Sequence, residues 1–321
     1  MVWLRAIFMM FLFRHTAHLL ELFLFRAAHA TKRAWAVRGA NLSCANGEIL
    51  LVLGDEGSGK TRLMTALAES LASPTKRALS STRVRGVVQF GGLEASKWDK
   101  FQLKKRLGLV LQDVRSLADS SKSLSGLALE EILEPSSGVR SVEPARVLGA
   151  AEKSCMILAL KISGLYSSLL PKLPSKLTTI VTANEDDLKP SPLRPRYNML
   201  SPSEWGKLIL TRMLAQAIYD NDNSAGNNEN IENSLMGSLL LLDDVTAYYS
   251  EVEEAKLLKE LRRTGAATIM TSNRWATGRF VDRIVVVKDG AIVETGTHSE
   301  LLNRGPQQSM YAAKWLQMTS E

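Results

Sequence analysis

The strongest constraint on the fold of this chain is the stretch from Ile49 to Thr61, where an apolar run passes directly into a glycine-rich turn. The run reads Ile-Leu-Leu-Val-Leu. The turn reads Gly-Asp-Glu-Gly-Ser-Gly-Lys-Thr, with four free positions between its first and last glycines. A short continuous apolar run is typical of a strand buried on both faces, and Arg62–Leu71 continues with helical periodicity. The stretch therefore predicts a strand, a tight loop and a helix in succession.

The glycine-rich turn matches the pattern of a phosphate-binding loop, the P-loop. Glycines let consecutive backbone N–H groups converge on phosphate oxygens at the positive end of the following helix. Lys60 is expected to reach the β- and γ-phosphates, and the Thr61 hydroxyl is expected to bind Mg²⁺. An ordinary glycine-rich turn is the alternative, and the strand and helix on either side argue against it. The candidate nucleotide-binding residues of this loop are Gly54, Gly57, Ser58, Gly59, Lys60 and Thr61.

A second apolar run, Leu239–Leu242, ends in the carboxylates Asp243 and Asp244. In a protein with a P-loop, an aspartate at the end of a neighbouring strand holds Mg²⁺ beside the P-loop threonine. We therefore expect Asp243 to bind the metal together with Thr61, and Asp244 to face the γ-phosphate. Two aspartates can also simply end a strand, but the P-loop upstream favours the metal-binding interpretation.

Charge and apolar segments limit the other function classes. The formal net charge is +7, and residues 1–40 contribute +5 of it, because six basic residues there face one glutamate. The rest of the chain is nearly balanced, which argues against a general nucleic-acid surface. The segment of residues 1–20 is apolar and basic, but its longest uninterrupted apolar run has about eight residues, too few to span a bilayer. We interpret it as a membrane-proximal or targeting segment.

The remaining pattern predicts an α/β fold, a P-loop NTPase core with a mostly parallel sheet and flanking helices. Two short strands, Leu22–Arg26 and Ala34–Ser43, predict an antiparallel β flap laid against this core. Mostly helical signals predict an inserted helical subdomain over about residues 116–219, and the asparagine-rich stretch of about 220–235 is expected to be a disordered surface insert. The other predicted strands are Val84–Phe90, Leu107–Leu111, Ser238–Leu242, Ala267–Thr271 and Arg283–Val287.

Together these motifs resemble the nucleotide-binding domain of an ABC transporter of the exporter, multidrug-resistance type, over residues 21–321. Gln112, in Leu-Val-Leu-Gln-Asp, resembles the glutamine of the Q-loop, which in that family links Mg²⁺ to the transmembrane domain. The tail Asp282–Leu302 is the most specific match and is similar to the end of an exporter-type domain. The resemblance implies ATP and Mg²⁺ as ligands. It places Thr61, Gln112 and Asp243 at the metal, and Gln112, Asp244 and Asn273 at catalytic positions.

The resemblance also implies partners. In the family, two such domains, identical or different, sandwich two ATP molecules and close the transmembrane domains, which belong to the same gene product or to a separate subunit. The domain would lie on the cytosolic or organelle-matrix side of a membrane, and no nucleic acid is expected. The implied function is an ABC-type ATPase that couples ATP binding to export of a solute. A non-hydrolysing ATP-binding regulatory or structural subunit of a heteromeric complex is the alternative.

The signature segment of the family is altered in this chain. Where the family has Leu-Ser-Gly-Gly-Gln, the chain has Leu-Ser-Pro-Ser-Glu at residues 200–204. In the family this segment binds the γ-phosphate of ATP held by the opposite domain, which makes Ser201 and Ser203 candidate nucleotide-binding residues. The same residues also form a capping box with proline at the first helical position. Because Pro202 lacks an N–H and Ser203 adds bulk, we expect weakened signature function.

Three further positions depart from the family pattern. Asp244 stands where active members have a glutamate that polarises the attacking water, and it is one methylene shorter. Asn273 occupies the position of the switch histidine and can hydrogen-bond a phosphate but cannot carry a proton or a positive charge. Ser250 falls where an aspartate of the D-loop is expected. These substitutions predict that ATP binding is retained and that hydrolysis is impaired.

Overall fold

The computed structural model describes residues 20–29, 35–72, 82–110, 122–123, 150–173, 176–178, 180–181, 196–197, 200–222 and 230–320. The strands are β1 Leu20–His29, β2 Trp35–Cys44, β3 Ile49–Leu53, β4 Thr82–Phe90, β5 Leu93–Glu94, β6 Leu107–Val110, β7 Lys122–Ser123, β8 Ile180–Val181, β9 Arg196–Tyr197, β10 Leu239–Asp243, β11 Ala267–Thr271, β12 Arg283–Lys288 and β13 Ala291–Gly296. The α-helices are α1 Lys60–Ala72, α2 Lys100–Lys105, α3 Ala150–Ser163, α4 Leu165–Ser168, α5 Pro202–Asp222, α6 Glu251–Arg263, α7 His298–Asn303 and α8 Met310–Thr319. Short 3-10 helices span Ala95–Lys97, Leu170–Lys172, Lys176–Thr178, Val245–Tyr248 and Trp275–Phe280.

A parallel set of strands surrounds β3, the strand that leads into the glycine-rich loop. β11 and β12 flank β3, and Leu51 is paired with Met270 on one side and with Ile284 on the other. β10 and β6 continue the parallel set, and Asp243 at the end of β10 is paired with Thr271 at the end of β11. The carboxyl ends of these strands therefore meet at one edge of the sheet, where open α/β sheets bind their ligands.

Side chains of the parallel strands alternate between two hydrophobic layers, as the two-residue period of a strand requires. Ile49, Leu51 and Leu53 pack with residues of α3, α5 and α6, whereas Leu50 and Val52 pack with residues of α1, β2 and β4. All five are fully buried, and each fully buried side chain of this size stabilises the fold by about 1.5–3 kcal/mol. Helices thus cover both faces of the sheet, and the predicted α/β class is confirmed.

The predicted β flap is also confirmed. β1 lies between β2 and β4 and is antiparallel to both, and β5 pairs with the end of β4. β2 joins β13 through a parallel pairing of Arg38 with Ala291. The flap and the parallel core therefore form one ten-stranded sheet in the order β5-β4-β1-β2-β13-β12-β3-β11-β10-β6.

Between β6 and β10, the described residues are mainly helical, as predicted. α3 and α5 pack together, and Thr211 Oγ1 of α5 donates to Ser163 Oγ of α3 at 2.7 Å. A small three-stranded sheet of order β7-β8-β9 also lies in this part of the chain and was not predicted. Each of its strands has two residues, too few to produce a recognisable alternation. The subdomain bounds of about 116–219 stay a prediction.

The asparagine-rich insert is ordered at both of its ends. α5 continues to Asp222, and Asn221 Nδ2 donates to the Ser234 carbonyl oxygen at 2.7 Å. Leu235 is fully buried, and its N–H donates to the Thr264 carbonyl oxygen at 2.9 Å. The prediction of disorder over 220–235 is therefore wrong at 220–222 and 230–235, because these flanks are hydrogen-bonded and one of them enters the core. Residues 223–229 lie outside the described residues.

Membrane-spanning potential is limited in the part of the chain that the structure describes. No single helix there has both the length and the apolar composition needed to cross a bilayer. Ala150–Ser163 and Leu165–Lys172 meet the criterion only when taken together, and the pair is bent by 95° at its break. The predicted N-terminal segment, residues 1–20, lies outside the described residues except for its last residue.

Candidate functional site

The glycines of the loop between β3 and α1 are required by its shape. A Cβ atom at Gly54 would lie 2.3 Å from the Val287 carbonyl oxygen and 2.5 Å from Ser58 Oγ, closer than any side chain tolerates. Gly57 and Gly59 have φ angles of +76° and +109°, a region that other residues rarely adopt. The three glycines that the sequence pattern singled out therefore define the loop.

Lys60 begins α1 and is folded back onto the loop. Its Nζ donates to the carbonyl oxygens of Gly54 at 2.6 Å and Asp55 at 3.0 Å. The side chain is 8% exposed, and this burial lowers the pKa of Lys60, against the opposing effect of Asp244. Ser58 Oγ is buried beside it and has no hydrogen-bond partner among the described residues. The loop thus carries a buried cation and an unpaired hydroxyl, groups that suit an anionic phosphate.

Asp243 is the central carboxylate of the site and is 4% exposed. Its Oδ1 accepts a hydrogen bond from Thr271 Oγ1 and lies 3.5 Å from Thr61 Oγ1. Its Oδ2 is buried and has no partner within the described ranges. Burying a carboxylate oxygen without a partner is costly, so such an atom needs an explanation such as a bound ion.

The oxygens around Asp243 fit Mg²⁺. This ion prefers oxygen ligands and is usually held by one or two carboxylates together with substrate phosphates and water. The Asp243 carboxylate and the Thr61 hydroxyl supply such oxygens. A cluster of three or more His, Cys, Asp or Glu side chains, which could hold a metal without a nucleotide, does not occur in the described part of the chain.

Asp244 and Asn273 are brought together, as the resemblance implied. Asn273 Nδ2 donates to Asp244 Oδ2 at 3.3 Å. Asp244 has left-handed backbone angles, φ 55° and ψ 28°, and its N–H donates to Thr271 Oγ1 at 2.9 Å. Burial raises the pKa of Asp244, and Asp243 adds to this, while Asn273 and Lys60 lower it. The half-buried carboxyl group therefore lies against the asparagine, next to the buried carboxylate of Asp243.

Arg274 fixes the segment after β10 and was not singled out from the sequence. Its guanidinium donates to the carbonyl oxygens of Tyr249 at 2.8 Å and Thr246 at 2.6 Å. It also pairs at 2.9 Å with the carboxylate of Glu254, which is 2% exposed. This network joins the strand end that carries Asn273 to the segment that follows Asp243. In the sequence, the position of Arg274 directly after Asn273 is the feature that could have pointed to this role.

The signature-like segment makes its hydrogen bonds within the chain. Pro202 is the first residue of α5, Ser201 Oγ accepts from the Glu204 N–H at 3.2 Å, and Glu204 Oε2 accepts from the Ser201 N–H at 2.9 Å. The predicted capping box is therefore present. Ser203 Oγ donates to the Tyr248 carbonyl oxygen at 2.7 Å. Both serines proposed to contact nucleotide thus have hydroxyl groups engaged by neighbours in their own chain.

Ser250 and a histidine of the C-terminal tail have structural roles. Ser250 caps α6 through a reciprocal pair of hydrogen bonds with Glu253. His298 Nδ1 lies 2.7 Å from the Tyr311 hydroxyl, and its ring packs edge-on against Trp315. Gln112 lies outside the described residues, so its metal-binding and catalytic roles stay predictions.

Comparison with known proteins identifies the family. The model of the ABC transporter family matches residues 37–218, more than half of the chain. The ATP-dependent lipid A-core flippase of Alkalilimnicola ehrlichii is 25% identical over 84% of this chain and 36% of its own length. The multidrug efflux ATP-binding/permease protein of Mycobacterium bovis is 26% identical over 87% of this chain and 18% of its own length.

A solved structure of a bacterial Atm1-family ABC exporter with ATP bound has the same fold. Its TM-score is 0.64 at 18% identity, with 95% of this chain and 42% of that chain covered. The chain therefore spans less than half the length of each of these proteins. The predicted resemblance to exporter-type ATP-binding domains is confirmed, and these relatives do not favour the alternative of a non-hydrolysing subunit. The chain belongs to the ABC transporter family, and its P-loop fold is the ATP-binding domain of that family.

Proposed function

We propose that this chain binds ATP with Mg²⁺ and couples that binding to export of a solute across a membrane. The buried, unpartnered Oδ2 of Asp243 is the observation that carries the binding part of the proposal, and the exporter relatives support the coupling to export. It lies on the carboxylate next to the Thr61 hydroxyl, in a site where the Lys60 ammonium and the P-loop N–H groups are also present. Asp243 and Thr61 would hold Mg²⁺, which would supply positive charge to offset that of the phosphates.

Each residue of the P-loop site has a separate task in binding. Lys60 already points into the loop, because its Nζ donates to two loop carbonyl oxygens. On binding, it exchanges these bonds for a bond to the phosphates. Ser58 Oγ has no competing partner in the described structure and is available to a phosphate oxygen. Thr61 Oγ1 and Asp243 Oδ2 are the protein oxygens offered to the metal, while the α1 N-terminus favours the negative charge.

We propose that hydrolysis is slow. Asp244 is one methylene shorter than glutamate, and a misplacement on the order of 1 Å costs about a hundredfold in rate. Its neighbour Asn273 donates a hydrogen bond to it. Asparagine is uncharged, so it offers the γ-phosphate no positive charge. The family's ATP-hydrolysing activity supports catalysis in principle, and these two substitutions support its impairment in this chain.

We propose that the functional unit contains a second nucleotide-binding domain and transmembrane domains. The relatives carry more than half of their length outside the matched region, which supports transmembrane domains on the same gene product or on a partner subunit. The domain would then lie on the cytosolic or organelle-matrix side of the membrane. In a heterodimer, Asp244 and Asn273 would build one weak site, and the Ser201–Glu204 segment would serve the ATP held by the partner domain.

Equilibrium binding of ATP to the purified chain tests the binding half of this proposal. We expect saturable binding that Mg²⁺ strengthens, and loss of most of it in Lys60→Ala. Lys97→Ala is the matched control, because the Lys97 side chain is 70% exposed and pairs with Glu94, three residues earlier in the same surface turn. No saturable binding by the unaltered chain, or equal binding by Lys60→Ala and Lys97→Ala, would contradict the proposal.

A further inference from the structure

Thr271 connects the two aspartates that follow each other at the end of β10. Its hydroxyl donates to Asp243 Oδ1 and accepts from the N–H of Asp244 at 2.9 Å. Thr271 ends β11, is paired with Asp243 in the parallel register, and is 1% exposed. A hydroxyl has one hydrogen to donate. Because an ionised carboxylate only accepts, this hydrogen goes to Asp243, and a lone pair of the same oxygen accepts the Asp244 N–H.

This bond decides which oxygen of Asp243 is free. With Oδ1 turned toward Thr271 and Thr61, only Oδ2 is left without a partner in the described structure. Rotation of the carboxylate would break the bond to Thr271 in a buried site, where an unpaired polar group is costly. The same hydroxyl anchors the N–H of Asp244, whose backbone is left-handed. The Thr271 side chain thus holds both the orientation of the Asp243 carboxylate and the backbone of Asp244.

We propose that Thr271 is a positioning residue that directs Asp243 Oδ2 toward Mg²⁺ and thereby sets how strongly ATP binding depends on Mg²⁺. The inference rests on the proposed function, because it assumes that Mg-ATP binds here. Thr271 itself does not touch the metal or the nucleotide. Groups that hydrogen-bond to a metal ligand fix its orientation, and their removal typically weakens metal affinity about 10–100-fold.

The same strand provides a matched control. Thr268 lies three residues before Thr271 on β11 and is fully buried, but its hydroxyl has no hydrogen-bond partner among the described residues. Thr268→Val therefore removes a buried hydroxyl of β11 without altering the bonds of Asp243. Thr271→Val removes the hydroxyl that positions Asp243 at nearly constant volume, and Thr271→Ser keeps that hydroxyl while removing a methyl group.

The test is calorimetric titration of ATP into the full 321-residue chain, carried out in EDTA and at a series of Mg²⁺ concentrations. We expect Thr271→Val to raise the Mg²⁺ concentration for half-maximal ATP binding about tenfold or more. ATP affinity in EDTA should stay close to that of the unaltered chain. Thr271→Ser should restore the Mg²⁺ dependence, and Thr268→Val should match the unaltered chain throughout.

Several results would overturn the inference, and they are distinguishable. If Thr271→Val and Thr268→Val show the same Mg²⁺ dependence, Thr271 does not position Asp243. If Thr271→Val weakens binding equally in EDTA and in Mg²⁺, or if Thr271→Ser fails to rescue, its role is structural. Thermal unfolding of each variant identifies loss of the fold. If Thr271→Val does not fold, the Mg²⁺ dependence of Thr271→Ser decides whether the hydroxyl positions Asp243. If the unaltered chain binds ATP with no Mg²⁺ dependence, or does not bind it, the proposed function fails and this inference fails with it.

Discussion

The P-loop side of the site and the signature-like segment differ in how their polar groups are satisfied. On the P-loop side, Ser58 Oγ and Asp243 Oδ2 are buried without partners in the described structure. In the signature-like segment, the hydroxyl of Ser201 is engaged by Glu204, and that of Ser203 donates to the Tyr248 carbonyl. In the proposed function, the unpartnered groups of the P-loop side are available to the phosphates and the metal, whereas the satisfied groups of the signature-like segment form a helix cap and an internal hydrogen bond.

From this contrast we expect the P-loop side to bind nucleotide and the signature-like segment to act mainly within its own chain. The P-loop side keeps the residue types that its chemistry requires, and its geometry leaves them available. The signature-like segment has Pro202 and Ser203 where the family resemblance implies glycines, and both residues support the local structure. Pro202 begins α5 and Ser203 ties that helix to the segment after β10. We therefore expect changes in this segment to affect the stability of its own domain, whereas a contact with the ATP of a partner domain stays a proposal.

The largest expected effect is on ATPase activity and comes from changing Asp244 and Asn273 to the residues that the family resemblance implies. The double change Asp244→Glu and Asn273→His returns the missing methylene and a protonatable ring to a pair that is already in contact. We expect ATPase activity to rise on the order of a hundredfold, because that is the typical cost of misplacing a reacting group by about 1 Å. Phosphate release by the purified chain measures it.

The same double change in a Lys60→Ala background serves as the control and should remain inactive, which assigns any activity to this site. An unchanged ATPase rate in the double variant would contradict this prediction. It would mean that these two positions do not limit hydrolysis.

A smaller effect, on stability, is expected in the signature-like segment. Ser203→Ala removes the hydrogen bond to the Tyr248 carbonyl and should lower the free energy of unfolding by about 1 kcal/mol. ATP affinity of the isolated chain should not change, because in the family this segment serves the opposite domain. Chemical denaturation and ATP titration measure the two quantities.

Ser70→Ala is the matched control, because Ser70 Oγ donates to the Ala66 carbonyl oxygen one turn back in α1, and alanine favours the helix. If Ser203→Ala weakens ATP binding by the isolated chain while Ser70→Ala does not, the assignment of this segment to structure within its own chain is incorrect.

The sequence predicted local features well and long-range contacts poorly. The P-loop, the strand ending in Asp243 and the capping box at Ser201 are contiguous patterns, in which each residue type has a local physical reason. The pairing of Thr271 with Asp243 joins positions 28 residues apart, and that of Ser203 with Tyr248 joins positions 45 residues apart. Both depend on strand order and helix packing, which a single sequence does not specify.

Two failures have the same origin. The flanks of the asparagine-rich insert have a polar composition, yet Asn221 and Leu235 are held by contacts with the folded domain. The strands β7, β8 and β9 have two residues each and exist only through pairing with one another. Composition and periodicity describe a segment by itself, so they miss structure that the surroundings impose.

The identity of the nucleotide that the chain retains shows whether the site binds ATP and hydrolyses it slowly. The purified chain is incubated with Mg-ATP, isolated rapidly, and its bound nucleotide is identified, with Lys60→Ala as the control. We expect intact ATP on the unaltered chain and little nucleotide on the control. Accumulation of ADP with steady turnover would contradict this expectation, because Asp244 and Asn273 would then suffice for catalysis.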